Sequence, residues 1–278
     1  MGTFAELVRA VPYLTVRSYA PADRVPFLIV FLSRTGSNLL AAKLDSHPDI
    51  VCHHELFNPD GIHRSLSYKD SPLSFGTTES RDRDPHGFVV KVYGFSDGQK
   101  AVGFKLAPGQ SNAVLLSLLL SRRVRKIVME RRNWLQAYSS ELIAQATQVW
   151  SVAKHKQAGQ SPKQKVRMEL AGLRQFIRKR SLFLRLTKLL LKLTGQRFET
   201  VDYEDISLPD TERRVLTFLG VAADQPLKER TVKQNPSRLR DRIANYDELE
   251  KALAGTELGR FLDPALEPAA AAPSEESG

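Results

Sequence analysis

The chain has 278 residues, of which 42% are hydrophobic, and 41 Lys and Arg stand against 31 Asp and Glu for a formal net charge of +10. That length and apolar content suit a substantial core in one large or two small α/β domains, and the charge directs attention to anionic partners: nucleotides, nucleic acids or an anionic membrane face. A single cysteine, Cys52, excludes an intrachain disulfide and fits a reducing compartment.

Residues 1–25 read as an irregular arm with Pro12 and Pro21. Charges at Glu6 and Arg9 and the lack of a long apolar centre make the amino end unlike a signal peptide. The longest apolar runs, residues 27–32 and 113–120, are far short of a membrane span. A soluble, cytoplasmic chain is expected.

Residues 27–31 form a short buried-type strand, and residues 37–45 a helix with Leu39, Leu40 and Leu44 on one face. A second strand covers 50–52. Residues 57–85, rich in Ser, Pro, Gly and charge, read as a long substrate loop or lid running to about residue 87. Residues 88–95 are ambiguous. Strands follow at 102–106, 126–129 and 198–202. Helices are expected at 111–120, from 133 to about 155, at 166–179, 182–193, 211–219 and 246–253. Asn133 and Gln136 make a capping pair for the second of these. Residues 263–278 read as a disordered tail, leaving 26–262 as one domain. This alternation at βαβ spacing predicts an α/β chain with a parallel sheet covered on both faces.

The informative segment is Ser33-Arg34-Thr35-Gly36-Ser37-Asn38, between the first strand and the first helix. A small-residue loop ending in a helix start aims backbone N–H groups and the positive end of the helix dipole at one point, a trap for phosphate or sulfate. Such loops lie at the carboxyl edge of a parallel sheet, where these folds take ligands. The nucleotide loop G-x-x-x-x-G-K-[ST] is absent: Ser37, not Lys, follows Gly36, which speaks against an ATPase or kinase.

This loop resembles the 5′-phosphosulfate loop of sulfotransferases that use 3′-phosphoadenylyl sulfate (PAPS). The resemblance implies a P-loop-like three-layer domain with a central parallel sheet flanked by helices. It assigns donor contacts to Arg34, Thr35, Gly36, Ser37 and Asn38. It also implies a 3′-phosphate site made of an Arg at a strand end and a Ser eight residues on. Arg132 with Ser140 has that spacing, and so does Arg131 with Ser139; the first pair is preferred because Asn133 caps the helix and Arg132 then sits at its positive end. Tyr203, in Tyr203-Glu204-Asp205-Ile206, resembles the family's residue beside the adenine, and Lys233, Gln234 and Asn235 resemble its basic, amide-rich closing loop. The chain looks most like bacterial carbohydrate sulfotransferases of the trehalose and nodulation-factor types. The Lys loop and Lys-Thr-His base of the animal cytosolic enzymes are both missing.

The implied chemistry is in-line sulfuryl transfer from PAPS, releasing 3′,5′-ADP (PAP), to a hydroxyl of a carbohydrate or glycolipid. Positioning and cationic charge then suffice without a metal. Arg34 is expected to stabilise the leaving phosphate and Lys105 to assist. Glu55, in Cys52-His53-His54-Glu55, is the candidate base, with His54 or His53 as the runner-up. Neighbours on an extended chain point to opposite faces, so these four do not make a metal site, and Cys52 reads as a small buried residue. The residue 182–193 helix, with Arg185, Lys188 and Lys192 among leucines, is either a core helix with a solvated face or a contact for an anionic membrane surface. The rival readings are a phosphoryl-transferring kinase and a basic nucleic-acid binder using residues 163–192. The second lacks stacking aromatics, so no nucleic-acid partner is expected.

Overall fold

The computed structural model describes residues 20–68, 75–95, 97–148, 165–229 and 238–262. In chain order the elements are β1 (Val25–Val30), α1 (Ser37–Leu44), β2 (Ile50–Glu55), α2 (Thr78–Arg83), α3 (Pro85–Gly94), β3 (Ala101–Leu106), α4 (Asn112–Leu120), β4 (Arg125–Glu130), α5 (Trp134–Thr147), α6 (Leu170–Leu193), β5 (Phe198–Asp202), α7 (Pro209–Leu219), α8 (Leu239–Arg242) and α9 (Tyr246–Leu253). The chain divides into two compact units, one from residues up to Arg132 plus Lys179–Val232, the other from Asn133–Arg178 plus the residues from Lys233 on.

The first unit holds a five-stranded sheet, ordered β2-β3-β1-β4-β5 and parallel throughout. This is the expected α/β three-layer architecture. Strand β1 lies at its centre, and Phe27 to Val30 are wholly buried, as an uninterrupted apolar run requires when helices cover both faces. On one face Phe27, Ile29, Ile127 and Met129 meet Leu40 and Leu44 of α1 and Val215, Leu216 and Leu219 of α7. On the other, Tyr93 of α3 sits against Phe104 of β3, ring centres 5.6 Å apart. Gly103 is required here, because a Cβ on it would stand 2.5 Å from the Phe27 ring.

The order also creates a switch point. From β1 the chain moves out to β2, returns through β3 beside β1, and crosses to β4 on β1's other side. A crevice opens where neighbouring connections diverge at the carboxyl end of such a strand. The loop after β1 lies there.

Several elements differ from the sequence expectation. Residues 88–95 belong to helix α3, which Asp84 starts by accepting the Gly87 N–H at 2.9 Å, with Pro85 in the first turn. The expected 57–85 loop contains α2, closed by a reciprocal Thr77–Ser80 capping box. Its sequence, Thr-Glu-Ser-Arg-Asp-Arg, has no apolar period to betray it. What anchors it is Arg81, buried, donating to the carbonyls of Leu56 at 3.0 Å and Asn58 at 2.9 Å. Strand β2 runs on through His53, His54 and Glu55, polar residues that hide a strand from pattern reading. The two expected cationic helices are one, α6, since nothing between Lys179 and Leu182 breaks a helix. The helix from residue 133 is described to Thr147; its expected extension lies outside the described residues, as do the arm before residue 20 and the tail from 263.

The second unit has its own core of Leu135, Met168, Leu173, Leu239, Ile243, Tyr246, Leu249 and Leu253. Asn133 caps α5 through its side-chain oxygen, which accepts the Gln136 N–H at 2.9 Å. The Asn245 side chain is bonded both ways to the Met168 backbone, tying α9 to the entry of α6.

Candidate functional site

The loop from Phe31 to Gly36 bends sharply. Arg34 (φ 65°) and Gly36 (φ 78°) are both left-handed, a conformation common for glycine and rare for arginine. Thr35 is buried and closes the bend, its hydroxyl donating to the Leu32 carbonyl at 2.7 Å. Gly36 then caps α1, and no side chain caps it. The first-turn N–H groups of that helix are therefore presented at the crevice with the dipole behind them.

Three side chains from distant parts of the first unit secure the loop. Arg180 of α6 donates to the Ser33 carbonyl and hydroxyl, each at 2.7 Å. Arg131, just after β4, donates to the Arg34 carbonyl at 2.9 Å and lies over the Tyr203 ring, 4.3 Å from its centre. Tyr203, in turn, fills the space where a Cβ on Gly36 would project. Gly36→Ala therefore meets two obstacles, a left-handed backbone and the Tyr203 ring. We expect it to cost about 1–2 kcal/mol from the backbone alone, more with displacement of Tyr203, and to weaken anion binding. Thermal melting and titration with PAP check both effects.

Lys105, at the end of β3, is the hub of the site. It is buried, and its ammonium donates to the Ser37 hydroxyl at 3.3 Å and to the Asn38 side-chain oxygen. The same ammonium meets Glu55 Oε1 at 2.8 Å and lies 4.5 Å from the Phe31 ring centre. Glu55 ends β2 and pairs in register with Lys105 after an irregularity at His53. Its second oxygen accepts from Gln110 at 2.7 Å and from Asn58 at 3.0 Å. Burial opposes charge on this carboxyl, but the Lys105 ammonium and the hydrogen bonds from Lys105, Asn58 and Gln110 outweigh it and hold Glu55 below the usual range. Burial also lowers Lys105, an effect that Glu55 opposes.

The runner-up bases have other surroundings. His53 is buried, its Nδ1 accepts the Ser65 N–H at 3.1 Å, and its ring stands edge-on to Phe75. Burial lowers it to about 3. Burial first, then the Lys105 charge, lowers His54 to about 4. Cys52 is buried, and burial raises its thiol. Among the described residues no three His, Cys, Asp or Glu side chains are grouped to hold a metal ion.

Arg131 and Arg132 were not separable by spacing, and here they differ sharply. Arg131 is built into the wall of the loop. Arg132 is half exposed and faces Asp205 at 2.5 and 3.0 Å, with Asp202 at 3.7 Å and Glu204 at 3.9 Å. The hydrogen bond that Arg132 donates to Asp205 is the main reason its pKa rises. In the second unit, Ser139 and Ser140 both sit buried on α5. Lys233, Gln234 and Asn235 lie outside the described residues.

Of the residues singled out from the sequence, the first unit gathers Arg34, Gly36, Lys105, Glu55 and Tyr203 around one loop. Sequence reading missed Arg180, Gln110 and Asn58. Nothing in the sequence singles out Arg180 from the other cations of its helix, because only the folded sheet brings it to Ser33.

No family model matches the chain, and no curated protein matches it. Among solved structures, a sulfotransferase from Alicyclobacillus acidocaldarius is similar over 86% of this chain and 99% of its own, with 17% identity and a TM-score of 0.42.

Proposed function

We propose that the chain is a sulfotransferase that moves a sulfuryl group from PAPS to a hydroxyl of a carbohydrate or glycolipid. One observation carries this reading: a single buried ammonium, Lys105, touches both the start of the anion loop, at Ser37 and Asn38, and the carboxylate Glu55. An anion cradle and a proton acceptor thereby share one site. PAPS, when bound, supplies a sulfuryl group attached to a phosphate leaving group. The chain's own residues do the rest. The loop N–H groups and Arg34 hold the 5′-phosphosulfate, with Thr35, Gly36, Ser37 and Asn38 as its frame. Arg34 and Lys105 offset the charge that grows on the leaving phosphate. Glu55, held ionised, takes the proton of the acceptor hydroxyl. Tyr203 is the candidate beside the adenine.

Arg132 is the candidate for the 3′-phosphate, which would replace Asp205 in its fork. Ser140, Lys233, Gln234 and Asn235 keep their donor roles on sequence resemblance alone. The kinase reading finds no support in the loop, where the buried Ser37 stands in place of the phosphate-binding lysine.

Calorimetry of the full chain with PAP, 5′-AMP and ATP, the last with and without Mg, tests the reading. PAP should bind at least about tenfold more tightly than 5′-AMP, the value of one additional charge-assisted hydrogen bond. Arg34→Ala should weaken PAP by a further factor of about 10 to 100. Equal affinity for PAP and AMP would remove the second phosphate site, and preference for Mg-ATP would restore the kinase.

A further inference from the structure

Helix α6 is leucine-rich on two opposite faces. Within the first unit, Leu184, Thr187 and Leu191 are buried. Leu182, Leu186, Leu189 and Leu193 are 54, 56, 51 and 77% exposed. Their spacing of four, three and four residues makes one continuous apolar stripe along about three turns. A scattered exposed leucine is ordinary, but four in register on one helix form a patch of the kind that marks an interaction surface.

The charges beside the stripe say what covers it. The 24-residue helix contains no Asp or Glu. Lys179, Arg185 and Lys192 are exposed along the leucines. Lys188, beside them, is paired with Glu130 at 2.6 Å, and Arg180 turns inward to Ser33, so neither is counted in the outward charge. Arg122 stands at the far end, its guanidinium 3.7 Å from where a Cβ on Gly195 would lie. Two copies of this helix laid stripe to stripe would bring like charges together with no carboxylate on the helix to answer them. An anionic surface answers them all. Among the described residues no helix is long and apolar enough to cross a membrane, so the geometry is that of a helix lying on one.

We propose that this face of α6 docks on the surface of an anionic lipid bilayer, with the leucines entering the acyl boundary and the flanking cations meeting lipid phosphates. This goes beyond the sulfuryl-transfer reading and does not rest on it: the stripe would bind lipid whatever the loop holds.

Co-sedimentation of the full chain with phosphatidylcholine vesicles, with and without phosphatidylglycerol, tests it. The chain should sediment with the anionic vesicles, remain in solution with the neutral ones, and be released by salt. Arg185→Gln with Lys192→Gln should lower partition about fivefold per cation removed. Leu186→Gln with Leu189→Gln should lower it by about tenfold or more, with an unchanged near-ultraviolet spectrum, since both side chains face solvent. Failure of the unaltered chain to bind anionic vesicles would overturn the proposal, as would leucine substitutions that bind as well as wild type. Light scattering that shows a dimer dissociated by the leucine pair, in a chain indifferent to lipid, would assign the stripe to a second copy instead.

Discussion

Glu55→Gln should leave PAP affinity intact and lower turnover by about 10²- to 10⁴-fold, the range attributable to a positioned base. Glutamine is the right probe because it keeps an oxygen for Lys105, which a smaller residue would leave buried without a partner. The sign of the pH dependence follows from the surroundings of the carboxyl. Glu55 is held below the usual range, chiefly by Lys105 acting against burial. It is therefore ionised at neutral pH, and activity that depends on it falls only as pH drops below about 4.3, the ordinary glutamate value. The rate profile should accordingly be free of an acid limb near pH 6.5. A limb there would point to an unshifted histidine. His54 and His53 do not qualify, since burial has lowered them to about 4 and about 3. Full turnover in Glu55→Gln would remove Glu55 as the base, and a loss in His54→Gln instead would move the role to that residue.

Glu212→Gln should destabilise the protein by up to about 3–5 kcal/mol, the cost of removing the nearest counter-charge from a buried lysine. Lys43 points from α1 into the protein and its side chain is 3% exposed. It meets Glu212 of α7 at 2.8 Å, the more exposed Glu229 at 3.5 Å, and the Ser207 hydroxyl at 3.3 Å. Glu212 also accepts the Leu227 N–H at 3.1 Å, so glutamine would offer one oxygen to two donors, Lys43 and Leu227. At about 2–4 °C per kcal/mol for a chain of this size, melting should fall by roughly 10 °C. Lys43→Met with Glu212→Leu should be far milder, because replacing both ions by apolar groups is often neutral. Calorimetric melting of the single and double variants separates the two outcomes. If the single substitution cost no more than the double, the pair would be ornamental. Because Lys43 lies on the helix that presents the anion loop, the single variant should also weaken PAP.

The fold was legible wherever burial leaves a period in the chain. Residues of β1, β3 and β4 are apolar runs or near-runs, β5 carries Phe198 and Val201 among polar residues, and their spacing with intervening helices specifies a parallel sheet. Elements held by polar groups were not legible. Helix α2 is fixed by a capping box and by Arg81 reaching backbone carbonyls. The end of β2 consists of two histidines and a glutamate whose strand pairing depends on β3. In the candidate site, Arg34, Gly36 and Ser37 were readable because the residues of the loop are contiguous. Lys105 and Glu55 were readable only as separate residues at two strand ends, fifty positions apart.

What the sequence determined by itself, then, is the candidate anion loop, the sheet class and the cationic balance, all properties of short segments or of composition. What the tertiary structure decided is which distant side chains serve that loop. It put Lys105 between Ser37 and Glu55, turned Arg180 onto Ser33, set Arg131 rather than Arg132 in the loop wall, and left four leucines of α6 facing outward. Each is a matter of register and rotation between elements, fixed by packing across the sheet, and no local pattern in the chain encodes it.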